Sequence, residues 1–137
     1  MKEKACKGIH HVELVVSNLV RSKEFYNKLF RYLGFEYFHD DEDPGWTSST
    51  SGVWIHQVDK NYAEVKYHRK RVGIGHLAFL AASRENVDKL YTEFLLPNNI
   101  PVVYGGPKDY PEYREGYYAV FFEDPDRIKL ELMWFPE

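Results

Sequence analysis

The 137-residue chain is 28% charged and 17% aromatic, with a formal net charge of −3 and a sequence pI of about 6.1. Its length suits one compact domain with a modest core, its composition excludes a disordered or collagen-like chain, and its charge gives no electrostatic reason to expect a nucleic-acid partner. Cys6 is the single cysteine, so no internal disulfide can form and a reducing cytoplasm is the expected compartment; the opening MKEKACKG lacks an apolar secretion core and no run of roughly 18 apolar residues occurs, so no membrane partner is expected.

Val12 to Val16 is apolar and β-branched, which predicts a buried strand. A helix follows, capped by Asn18 and stopped by Gly34. Its apolar face is Ser22, Phe25, Tyr26, Leu29, Phe30 and Leu33, which recur at three- and four-residue steps. Strand-like segments come next at Phe35 to Phe38, Trp46 to Ser51 and Val53 to Val58, separated by Pro44-Gly45 and Gly52. The acidic run Asp40 to Asp43 reads as a turn, and the basic run Lys66 to Arg71 as a solvated linker rather than a phosphate-binding patch. The first half is βαβββ.

GIHHVEL at Gly8 to Leu14 returns as GIGHLAF at Gly73 to Phe79, an offset of 65 that also carries His11 to His76, Asn18 to Ser83 and Gly34 to Asn99. The helix face Ser22, Phe25, Tyr26, Leu29 and Phe30 falls on Val87, Leu90, Tyr91, Phe94 and Leu95. Near the end of each half the offset becomes 75, because GVWIH from Gly52 matches RIKLE from Arg127. The extra residues fall in the loop Tyr104 to Glu115, rich in Gly, Pro and Tyr, which is either a wall over a pocket or a surface excursion. The chain is thus expected to be one domain of two modules, about 8–58 and about 73–135, joined by a linker at about 59–72. Each small unit has one sheet face covered by its own helix and the other left open, so pairing the two copies closes the second face.

Strand side chains alternate. If Val12, Leu14 and Val16 pack on the helix, His11 points to the other face. The same parity puts His76 opposite Leu77 and Phe79, Trp54 and His56 opposite Val53 and Ile55, and Glu131 opposite Leu130 and Leu132. The four positions related by the repeat, His11 with His76 and His56 with Glu131, therefore all carry metal-binding side chains on the face away from the helices. Three imidazoles and a carboxylate suit one divalent transition metal (Fe, Ni, Co, Zn or Mn) and suit Mg or Ca poorly. Singly, each histidine reads as a hydrogen-bonded structural residue and Glu131 as a partner for Lys129; joint placement favours a metal. His10, on the packing parity, and His39 and His68, in loops, are not expected to bind it. Trp46, Trp54 and Tyr118 are candidates to line a substrate cleft, with plain core packing as the alternative.

The motifs HHVELVVSNLVRSKEFYNKLFRYLGFE, GHLAFLA and YYAVFFEDPDRIKLELMW resemble the vicinal oxygen chelate superfamily, which includes glyoxalase I, methylmalonyl-CoA epimerases, fosfomycin-resistance thiol transferases, extradiol dioxygenases and bleomycin-resistance proteins. The resemblance spans about Ile9 to Met133. It implies an α+β fold of two pseudo-symmetric βαβββ modules that form a curved, partly closed mixed sheet with helices outside. It also implies metal ligands on the first and last strand of each module. His11, His76 and Glu131 match the family's metal-binding motif; His56 takes the fourth position, where glyoxalase I-like members have a carboxylate and the epimerases a glutamine. A second departure is DPDR, in which Arg127 replaces the glycine of the family's DPDG turn, whereas Gly52 keeps it in the first module.

The resemblance implies a metal that binds two substrate oxygens and stabilises the charge developing on them. Three activities follow. The first is a glyoxalase-type lyase or isomerase acting on a small oxygen-chelating molecule, in which Glu131 is the one carboxylate left to serve as base. The second is an extradiol-type Fe(II) dioxygenase, since His11, His76 and Glu131 alone form a two-histidine, one-carboxylate triad; His56, if it stays off the metal, is an acid or base beside that oxygenase site. The third is a non-enzymatic protein that sequesters a drug or metabolite. Exposed sheet edges give such a chain reason to pair as a homodimer.

Overall fold

A computed structural model of the chain describes residues 3–38 and 42–137. His39, and Asp40 and Asp41 of the acidic run, lie outside the described residues. The chain divides into two compact units, Met1–Glu64 and Val65–Glu137.

The first unit runs β1 (His11–Val16), α1 (Leu19–Leu33), β2 (Glu36–Phe38), β3 (Gly45–Thr47), β4 (Gly52–Gln57) and a 3-10 turn at Lys60–Tyr62. Asn18 caps α1 by accepting the Arg21 amide at 3.1 Å, and Gly34, at φ 88°, ends it in the left-handed conformation that a Cβ would oppose. Ser22, Tyr26, Leu29 and Phe30 are the buried face of α1. They meet Leu14, Val16, Trp46, Val53 and Ile55 in one core. The third strand is shorter than expected, because Ser48 to Ser51 close a turn in which the Ser48 amide donates to the Ser51 carbonyl and the Ser48 hydroxyl accepts from the Ser51 amide. Gly52 then begins β4.

The second unit repeats this order as β5 (Leu77–Leu80), α2 (Arg84–Lys89) continuing into a π-helical stretch at Leu90–Leu95, β6 (Val102–Asp109), β7 (Tyr118–Glu123) and β8 (Lys129–Trp134). Ser83 caps α2 through the Asn86 amide, and Asn99 takes the left-handed φ of 53° expected of Gly34's counterpart. Val87, Leu90, Phe94 and Leu95 pack on Val120, Phe122, Leu130 and Leu132, all buried.

Each unit holds a four-stranded mixed sheet, ordered β1-β4-β3-β2 and β5-β8-β7-β6. In both, the first and last strands are parallel neighbours, with His11 opposite Gly52 and Ala78 opposite Glu131. The α+β class and the doubled βαβββ order are as expected, and the hydrogen-bonded strands form two open sheets.

Two expectations about the connections change. Tyr104 to Asp109 is not loop but the bulged end of β6, where Tyr104, Gly105 and Gly106 all take positive φ and the register with β7 shifts. The basic run is not a freely solvated linker either. The Tyr67 hydroxyl donates to the Ile74 carbonyl at 2.8 Å and the Arg69 guanidinium pairs with buried Glu123 at 2.8 Å, so this stretch is tied to the second unit. Among the described residues, no helix is long and apolar enough to cross a membrane.

Candidate functional site

The second unit contributes a buried acid and an imidazole. Alternation along β8 sends Leu130 and Leu132 to the helices and Glu131 and Met133 to the opposite face, where β7 adds Ala119 and Phe121 directly across from Met133 and Glu131. Glu131 is 2% exposed. Burying a carboxylate is costly unless its oxygens are bonded or it holds a cation. One oxygen, Oε2, accepts the Tyr117 hydroxyl at 2.5 Å, and the other, Oε1, lies 3.2 Å from Nε2 of His76. Lys129, the alternative partner for Glu131, instead donates to the Tyr104 hydroxyl at 3.1 Å and holds that phenol's pKa below its ordinary value.

The chain between β6 and β7 roofs this face. Tyr110 is buried with Ala119, Phe121 and Met133, and Tyr117 packs against them. Burial, and then the hydrogen bond to Glu131, push the Tyr117 phenol far above its ordinary pKa, so it stays protonated and donates. Burial likewise raises Tyr110 to about 12, and its hydroxyl has no hydrogen-bond partner among the described residues. A donor is thus left over beside the acid.

In the first unit, His11, Trp54 and His56 share the sheet face away from α1, as their parity requires. Nδ1 of His11 lies 2.9 Å from Nδ1 of His10, and the rings meet edge to face, which leaves Nε2 of His11 as its nitrogen for other work. His10, expected to pack inward, is exposed and supports His11. Trp54 stands edge-on to His11 at 5.4 Å and lies across Gly45 and Gly52, where any Cβ would collide with its ring. Gly52 therefore serves to make room for an indole; its counterpart Arg127 occupies the left-handed turn position at φ 65°. Nδ1 of His56 is hydrogen-bonded to the Asp43 carboxylate. That bond and the charge of Asp43 raise the His56 pKa, with Glu13 and Glu42 adding to the effect. The bond engages Nδ1 and leaves Nε2 of His56 open, as the contact with His10 does for His11.

Two of the three residues expected to line a substrate cleft are core instead. Trp46 is 1% exposed, stacks on Phe30 at 5.3 Å and donates to Asn27 at 3.2 Å. It faces α1 because it pairs across the ladder with Val53. Tyr118 likewise faces α2: its hydroxyl donates to Asp88 at 2.5 Å and the Arg84 guanidinium lies 3.6 Å over its ring. Burial, and then that bond to Asp88, raise Tyr118 to about 12. Trp54 alone of the three shares a face with a candidate ligand.

Of the four expected ligands, His76 and Glu131 stand together, while His11 and His56 have partners within the first unit. Among the described residues no group of three or more His, Cys, Asp or Glu side chains is gathered to hold a metal ion. The His76–Glu131 pair nevertheless fits one chemically. An imidazole nitrogen and a buried carboxylate oxygen are ligand types of first-row divalent ions, and among the described residues His76 is the only ion-pair partner of Glu131. Sequence reasoning missed Tyr117, two residues beyond the flagged Tyr-rich loop, and Asp43, read only as a turn residue.

Residues 8–132 match the model of the Glyoxalase/Bleomycin resistance protein/Dioxygenase superfamily. The chain belongs to that superfamily. The YqjT protein of Bacillus subtilis is 40% identical over 126 residues, covering 91% of this chain and 97% of that protein. The metallothiol transferase FosB of Staphylococcus haemolyticus is 28% identical over 129 residues, covering 92% of this chain and 82% of that one. Among solved structures of the superfamily, a glyoxalase-like protein of Bacillus halodurans superposes with a TM-score of 0.79 at 34% identity, covering 93% and 96% of the two chains. Lactoylglutathione lyase of Agrobacterium tumefaciens shares the fold, with a TM-score of 0.69 at 22% identity and 96% coverage of both chains.

Proposed function

We propose that the protein is a divalent-metal-dependent enzyme of the glyoxalase lyase–isomerase type, with His11, His76 and Glu131 as metal ligands and a small oxygen-chelating molecule as substrate. The observation that carries this reading is the buried Glu131 carboxylate, one oxygen bonded to Tyr117 and the other facing His76. A first-row divalent ion bound there would supply Lewis-acid polarisation of substrate oxygens.

The protein's own groups have separate roles. Tyr117 fixes the rotamer of Glu131 and keeps one of its oxygens engaged, as second-sphere donors to ligating carboxylates do. His10 does the same for His11, leaving Nε2 as the ligating atom. His56, oriented by Asp43 through Nδ1, presents Nε2 as a fourth ligand or as an acid–base group toward substrate. Trp54, beside His11, supplies an apolar wall. A homodimer would cover the exposed sheet edges, and a reducing cytoplasm suits the exposed thiol of Cys6.

Metal analysis of the protein purified without a histidine tag, followed by assay of methylglyoxal–glutathione hemithioacetal consumption, tests this reading. Metal-dependent consumption lost in Glu131→Gln supports it, and consumption that persists without metal contradicts it. A second reading, thiol transfer, is favoured by the similarity to the FosB metallothiol transferases. Metal-dependent disappearance of a low-molecular-weight thiol in the presence of an electrophilic acceptor, with no hemithioacetal turnover, would select it.

A further inference from the structure

The second unit has a cavity of about 270 Å³ that the proposed chemistry does not use, lined by Tyr67, His68, Arg69, Lys70 and Arg127. Three of the five are cations at neutral pH. They reach the cavity from two places, the tied-down basic stretch before β5 and the turn between β7 and β8.

Arg127 is the informative residue. Its φ of 65° lies in the left-handed region, where glycine is at ease and a long side chain is strained. The turn itself is built by its neighbours: the Arg127 amide donates to the Asp124 carbonyl at 2.9 Å, and the Asp124 carboxylate accepts the Asp126 and Ile128 amides, each at 2.8 Å. Nothing in that pattern needs an arginine. Its guanidinium lies 3.3 Å from Glu123, and the same Glu123 oxygen holds Arg69 at 2.8 Å. One buried carboxylate thus organises two guanidiniums, with Lys70 beside them and Asp124 and Asp126 in the same turn. His68 contributes as well, because its Nδ1 accepts the Lys70 amide at 3.0 Å, which leaves its Nε2 to carry the proton and donate.

We propose that this cavity is a binding site for the phosphate or carboxylate group of a small molecule. Planar guanidinium donors held by a buried acid are pre-ordered for forked contacts to such oxyanions. The volume suits a metabolite-sized anion, and the overall charge of −3 speaks against a polyanion.

The test is titration calorimetry of the full chain at constant ionic strength, with inorganic phosphate and with citrate as probes, together with thermal denaturation. Saturable binding of either probe is expected, and the preferred probe identifies the class of anion. Arg127→Gly should weaken it at least tenfold while leaving the melting temperature unchanged or raised, because the turn relaxes. Lys70→Gln should weaken it in the same direction, and Glu131→Gln should bind as the wild type does, which separates this cavity from the proposed metal site. Equal binding by wild type and Arg127→Gly, a melting temperature that falls in Arg127→Gly, or loss of binding in Glu131→Gln would each overturn the proposal.

Discussion

Tyr117 donates a 2.5 Å hydrogen bond to Oε2 of Glu131, and the other oxygen of that carboxylate lies 3.2 Å from Nε2 of His76. One buried acid is therefore oriented by a phenol and presented to an imidazole, so the direction of its free oxygen is set in advance. Replacing Tyr117 with Phe keeps the ring and removes the donor. Metal affinity is expected to fall roughly 10- to 100-fold, and stability by about 1–3 kcal/mol as the carboxylate oxygen loses its partner. Metal titration and thermal denaturation check both; unchanged affinity would mean that the phenol does not orient the acid.

The two tryptophans flanking the first sheet should behave oppositely. Trp46→Ala removes a fully buried indole from between Phe30 and Tyr37, and a loss of about 3–5 kcal/mol is expected from denaturant unfolding. Trp54→Ala empties only a partly exposed position, so its stability cost should be much smaller and its effect should fall on substrate affinity. A Trp46→Ala protein as stable as wild type would show that Trp46 is not core.

Gly52→Ala and Gly45→Ala each place a methyl group where the Trp54 ring now lies. The indole must move, and its edge contact with His11 should be lost. Tryptophan fluorescence and the His11 imidazole resonances should both shift, and spectra identical to wild type would contradict the packing of Trp54 over these glycines.

The His56–Asp43 pair sets a pH dependence. The folded-state pKa of His56 is raised above its unfolded value of about 6.5, so the pair's contribution is fully present below that value and is lost as pH rises through the folded pKa. Asp43→Asn should lower the His56 pKa, as followed by imidazole proton resonances. A titration midpoint that does not fall would show that Asp43 is not the cause.

Much of this was legible in the sequence. The offset of 65 located both helices with their caps, and period-two alternation assigned His11, Trp54, His56 and Glu131 to the faces they occupy. Trp46 was not legible, because β3 has only three residues and its facing is set by pairing with Val53 rather than by any pattern of its own. Tyr118 escaped for a related reason: every residue of β7 is buried, so no alternation marks which side meets α2. The partners Asp43 and Tyr117 are tertiary facts, separated from His56 and Glu131 by 13 and 14 residues, and local spacing carries no trace of them.

Metal stoichiometry of the protein without a histidine tag, by elemental analysis after saturation and desalting, addresses the central claim most directly. One divalent transition ion per chain is expected for wild type, with occupancy largely lost in His76→Ala and in Glu131→Gln and retained in Trp46→Phe. Wild-type protein that keeps no ion, or His76→Ala and Glu131→Gln proteins that keep a full complement, would contradict it.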